Sequence, residues 1–152
     1  MDDVELVLKD CGVHLDTTGT RNTAIEAYLV RYLLVRICAE RESQIELLVR
    51  QRVDRLGDIM VSNFVTRATD RLLRSLYVRE IKGFLGAFGS GTAELFDKAV
   101  GADAQRRWDD IVANRHAVGH TTTAVSLTLS ELEDRYTGSK GVMESVKSSL
   151  GL

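Results

Sequence analysis

Not one proline occurs in these 152 residues. Proline removes a backbone donor and clashes with the preceding turn, which makes it the commonest chemical stop for a helix. A chain without it runs long helices wherever its apolar periodicity asks for them. Thr23 and Glu26 stand as a capping box, a hydroxyl and a carboxylate placed to satisfy free amides of a first turn. From there apolar residues recur through Ala27, Tyr28, Val30, Leu34, Ile37 and Cys38 to Ile45, Leu48 and Val53. This predicts one long helix that becomes amphipathic after Glu40.

The rest of the chain reads the same way. A short helix is predicted over Asp2 to Asp10, with Cys11 to Thr20 a loop because Gly12, Gly19 and three threonines crowd it. Gly57 marks a break, Asp58 to Thr66 a helical turn or two, and Thr69 to Phe84 a helix closed by Gly83, Gly86, Gly89 and Gly91. Thr92 to Val100 and Asp103 to about Gly119 follow as helices, and the β-branched stretch Thr121 to Thr128 as extended chain or loop. A second capping box, Thr128 with Glu131, and an overlapping one, Ser130 with Glu133, start a C-terminal helix that breaks at Gly138 to Gly141 and resumes to Leu150. No repeat or linker is visible. The fold class is all-α, an up-and-down helical bundle with additional short helices in one domain.

The formal net charge of −2 gives no general attraction to nucleic acid, so any RNA contact needs a local patch. Cys11 and Cys38 lack metal spacing, and Cys38 lies in an apolar helical run, as a buried reduced thiol does. The start, Met1-Asp2-Asp3-Val4, has neither the basic nor the apolar part of a signal peptide. The densest apolar run, Ala24 to Ala39, carries Glu26, Arg31 and Arg36 and falls short of the ~20 residues of a spanning helix. The expectation is a cytoplasmic protein with no membrane segment.

The stretch that carries chemistry is Asn114-Arg115-His116-Ala117-Val118-Gly119-His120, with two of the chain's three histidines. On a helical wheel Trp108, Ile111, Val112 and Val118 form an apolar stripe, and Arg115 falls within it. A cation there either lifts its guanidinium to water, is held by a carboxylate, or is offered to a phosphate.

An up-and-down helical domain with an Arg followed five residues later by a His near the end of its penultimate helix resembles the HEPN superfamily. Arg115 and His120 match its motif. His116 stands where that superfamily commonly has Asn, and Asn114 lies on the other side of the Arg. The stretch from Tyr28 to Glu40 is similar to the long second helix of the RiboL-PSP type of HEPN domain, whose terminal Glu corresponds to Glu40. The resemblance runs from about residue 22 to 152.

It implies metal-independent endoribonuclease activity from a homodimer whose Arg-His motifs face each other, with no cofactor. In bacteria it further implies a toxin or phage-defence effector with an antitoxin or defence-system partner. Cleavage by attack of the RNA's own 2′-OH needs a base, an acid and a cation on the developing phosphorane. His120 suits the first two roles and Arg115 the third. One copy has too few groups, and two copies supply two of each. Gly119 would end the helix and turn His120 toward the cleft, Asn114 or His116 would orient the pair, and Glu40 would hold Arg115. The alternative is a non-catalytic HEPN module for RNA or nucleotide binding or for dimerisation.

Plainer readings stand beside these. Arg115 and His120 also suit a helix C-terminus, where cations meet unsatisfied carbonyls. His116 and His120 share a face with Asp109, a weak metal pattern without a third strong ligand. Arg67, Arg71, Arg74 and Arg79 with Tyr77 would line an RNA groove, or form a solvated face paired with Asp70 or Glu80. The charges from Glu40 to Arg55 read as an exposed or dimer-facing surface, Trp108 as core, and the glycine-rich segment from Gly86 to Gly91 as a turn.

Overall fold

Eight helices and no strand make up the described residues of the computed structural model, which are 3–73, 75–120 and 126–152; at positions 70–72 and 120 only the backbone is described. They are α1 (Asp3–Thr18), α2 (Ala24–Asp54), α3 (Ile59–Leu72), α4 (Val78–Gly86), α5 (Ser90–Ala99), α6 (Ala102–His120), α7 (Leu129–Gly138) and α8 (Lys140–Ser149). The architecture is an all-α bundle. Its central member is α2, which packs against α1, α3, α6, α7 and α8.

Thr23 caps α2 by accepting from the Ile25 N–H, and the helix runs unbroken for 31 residues. Glu26 goes elsewhere than a capping box would send it. Its buried carboxylate accepts from the N–H of Asn22 at 2.6 Å and from the N–H of Leu129 at 2.9 Å, joining the N-termini of α2 and α7. At the other end Gly57, at φ +72°, makes the turn that a side chain would strain, and Arg55 donates to the Gly151 carbonyl.

Two boundaries differ from the sequence expectation. α1 continues through the predicted loop to Thr18, because Val4, Leu8, Gly12 and Leu15 form one buried stripe. Thr17 and Thr18 turn their hydroxyls back to the carbonyls of Val13 and His14 instead of breaking the helix. The predicted Thr69 to Phe84 helix is divided, since α3 reaches Leu72 and α4 begins only at Val78. The stop is tertiary. The Asp109 carboxylate accepts from the Val78 N–H at 2.8 Å and the Trp108 indole donates to the Leu76 carbonyl at 2.5 Å, so α6 sets where α4 starts.

The second capping box forms as expected between Thr128 and Glu131, while Ser130 lies inside α7. The core gathers Leu33, Leu34 and Ile37 of α2, Phe96 of α5, Trp108 and Ile111 of α6 and Leu132 of α7, all fully buried.

Candidate functional site

α6 carries the Arg-His motif on a helix fixed at its root. Asp103 in its first turn accepts from Arg106 at 2.5 Å and from Arg107 at 2.6 Å, which holds the Asp103 carboxyl below the usual range. Trp108, Ile111 and Val112 are buried, as the apolar stripe predicts. Arg115 belongs to the same helix yet its side chain is exposed. Among the described residues no carboxylate lies within ion-pair distance of it. Of the three fates open to a cation on that stripe, the structure excludes the carboxylate clamp and leaves the guanidinium to solvent or to a phosphate.

Glu40 does not hold Arg115. It accepts from Gln44 Nε2 at 3.3 Å and lines a cleft of about 190 Å³ with Arg41, Trp108 and Tyr136. The reason lies in the register of α2. Arg115 approaches the edge of α2 that carries Cys38, where its charge is felt by the thiol. Glu40 stands two residues further, roughly 200° around the helix.

Gly119 does not end the helix, because α6 continues through His120. Positions 115 and 120 therefore stand roughly 140° apart around one axis. The Asn114 carboxamide is committed to its own helix, donating to the Asp110 carbonyl at 2.8 Å. His116, half-buried, packs its ring on Tyr77 at 5.5 Å with a 39° tilt.

Tyr77 is the neighbour of the motif that the helical pattern of α6 does not disclose. Tyr77, the N-cap of α4, lies against His116, with the Arg79 guanidinium 5.7 Å from the Tyr77 ring centroid. Asp109, weighed above as a metal ligand, spends its oxygen on the Val78 N–H instead. Burial pushes its carboxyl up, while that N–H and the Arg79 charge pull it partly back. Arg79 forms the ion pair with Glu80 at 3.2 Å that the plainer reading allowed. Arg67 is exposed on α3; the side chain of Arg71 and all of Arg74 lie outside what is described.

Beside this face α2 exposes a row of its own. Ile25, Tyr28, Tyr32 and Val35, spaced three, four and three apart, are open to solvent, Tyr28 to 67% and Tyr32 to 56%. That is the knob spacing of a helix that pairs with another helix. Val35 stands only about 60° around α2 from Cys38, so the row adjoins the edge that Arg115 approaches. No helix is long and apolar enough to cross a membrane among the described residues.

Compared with protein-family models, with curated proteins and with solved structures, the chain matches none.

Proposed function

We propose that this protein is a metal-independent endoribonuclease of HEPN type, working as a homodimer with Arg115 and His120 at its reaction centre. The observation that carries the reading is the solvent-facing, uncompensated Arg115 on a helix whose neighbouring stripe is buried, within a motif that resembles the HEPN one. Since positions 115 and 120 diverge along one helix, a second copy is the simplest source of a complementary pair. The apolar row on α2 supports that second copy, because it adjoins the Arg115 edge.

In this reaction the 2′-oxygen attacks the neighbouring phosphorus, and its proton passes to a histidine acting as base. The phosphorus–5′-oxygen bond breaks, and the leaving oxygen takes a proton from the second histidine. Arg115 offers its planar fork to the phosphorane oxygens as their charge grows. Its permanent charge needs no protonation step. A toxin or defence role, with an antitoxin-like partner, belongs to the same proposal.

The test is incubation of the purified protein and its His120→Ala and Arg115→Ala variants with single-stranded and structured RNA in EDTA. Cleavage by the wild type alone, leaving 2′,3′-cyclic phosphate ends, is the expected result. RNA binding without cleavage would replace this reading by the non-catalytic module, for which the Tyr77, His116 and Arg79 cluster offers a stacking surface.

A further inference from the structure

Arg115 and His116 are neighbours in sequence but turn toward different helices. Arg115 approaches α2 at Cys38, whereas the His116 ring packs on Tyr77 of α4, 5.5 Å between centroids. Gly119 stands between them around the α6 axis and one turn further along, about 40° from Arg115 and about 60° from His116. A Cβ at Gly119 would meet no described atom within 4 Å beyond its chain neighbours and its own helix backbone. Among the described residues, therefore, nothing fills the helix surface between the cation and the ring.

The ring pair is fixed from below. Tyr77 follows Leu76, whose carbonyl accepts from the Trp108 indole, and precedes Val78, whose N–H donates to Asp109. Two bonds from α6 thus hold the backbone on either side of the tyrosine, although both rings are only half-buried. The Arg79 guanidinium lies 5.7 Å from the Tyr77 ring centroid on a side chain that is 81% exposed. Its ion pair with Glu80 joins two exposed neighbours and costs little to give up. A phosphate seated on Arg115 would have, one residue along, two positioned rings partly open to solvent, and a second arginine beside them. Aromatic rings next to a phosphate clamp suit a nucleotide whose base is free to leave its stack, whereas a duplex keeps its base faces covered.

We propose that Tyr77 and His116 form a base-stacking subsite beside Arg115, so that the strand bound at this centre is unpaired RNA. This rests on the ribonuclease reading for the phosphate and adds to it the substrate class, single strands and loops in place of duplex. Tyr77 is a specificity-determining residue in this arrangement, since it meets the base and not the reacting atoms.

The probes are a fluorescein-labelled twelve-nucleotide single strand with 2′-fluoro riboses, which lacks the attacking hydroxyl, its duplex with a complementary strand, and a wholly abasic strand of equal length and charge. Each is titrated by fluorescence anisotropy against the full chain and its Tyr77→Leu, Tyr77→Phe and Arg79→Gln variants, whose folding is checked by circular dichroism. The single strand is expected to bind about tenfold tighter than the duplex or the abasic strand. Tyr77→Phe should keep that advantage. Tyr77→Leu should lose it yet bind the abasic strand as wild type does, a coupling between ring and base that a tyrosine supporting only the fold would not produce. Arg79→Gln should weaken the single strand severalfold, a readout that does not depend on the Tyr77 variants folding. Equal binding of strand and duplex, a base advantage that survives Tyr77→Leu, or an unchanged affinity in Arg79→Gln overturns the subsite. Cleavage of the matching all-ribose strand in EDTA, run alongside, separates the two readings. Cleavage without a base advantage removes the subsite and leaves the nuclease, and a base advantage without cleavage leaves the subsite on a non-catalytic module.

Discussion

The guanidinium of Arg41 lies 3.9 Å from the ring centroid of Trp108 and is buried with it, 4% exposed, between α2, α6 and α7. Arg41 also donates to Ser139 Oγ and stands 5.4 Å from the Tyr136 ring, so one cation ties three helices together. Arg41→Ala is expected to lower stability by about 2–4 kcal/mol, through lost stacking and packing and an unfilled space. Arg41→Lys should lose less, because its stem still fills the site but its ammonium cannot stack as a plane. Urea unfolding followed by fluorescence of the chain's one tryptophan measures both.

Glu26 is the second such tie, and it acts on two helix N-termini at once. Replacing it by Ala strands the Asn22 and Leu129 amides, for an expected loss of about 2–3 kcal/mol, while Glu26→Gln keeps an acceptor and loses less. Hydrogen exchange at the first turns of α2 and α7 should quicken together in the Ala variant. Exchange that quickens at α2 alone would contradict the shared role.

The difference between these residues and Thr128 explains what sequence discloses. The Thr128 and Glu131 box joins residues three apart, so local pattern reveals it. Arg41 sits between Glu40 and Glu42 and reads as one more surface charge; only its helical register and the position of Trp108, far along the chain, put it inside. The α3–α4 break is hidden for the same reason, since its cause is Asp109 and no glycine or proline marks it. At the candidate site the motif and the apolar stripe of α6 are legible because they share one helix. What surrounds Arg115 is not, because pairing with Glu40 was inferred from family position and the register of α2 turns that carboxylate elsewhere.

The capping box makes α7 sensitive to acid. The Thr128 amide and hydroxyl both donate to Glu131 and hold its carboxyl below the ordinary glutamate value. A carboxyl lowered in the folded state contributes stability above its unfolded value, about pH 4.3, and loses it as the pH falls through the native one. Helicity at α7 is expected to fray below about pH 4. Glu131→Gln should be less stable than wild type at neutral pH and lose less on acidification, as read by melting temperature against pH.

Cys38 sets the opposite limb. Burial pushes its thiol up to about 11, with the charges of Arg41 and Arg115 pulling the other way. A thiol raised in the folded state contributes fully below its unfolded value, about pH 8.5, and the contribution fades as the pH climbs toward the native one. Unfolding free energy should fall by about 2–3 kcal/mol more between pH 8.5 and 11 in wild type than in Cys38→Ala. At pH 8, iodoacetamide should modify the half-buried Cys11 well before Cys38, and equal rates would show that the α2 core opens readily.

The row on α2 gives the last prediction, because it separates folding from assembly. Tyr32 is 56% exposed, so Tyr32→Glu should leave the melting temperature within a few degrees of wild type. If two copies pair along Ile25, Tyr28, Tyr32 and Val35, a carboxylate introduced on each at the middle of the seam meets its counterpart or an apolar surface. Light scattering should then show a dimer in wild type and a monomer in the variant at the same concentration. Since the proposed reaction draws acid, base and phosphate clamp from two copies, RNA cleavage should fall with the dimer fraction and return as concentration is raised. A monomeric Tyr32→Glu protein that cleaves RNA at the wild-type rate would remove the need for a second copy and with it the composite site.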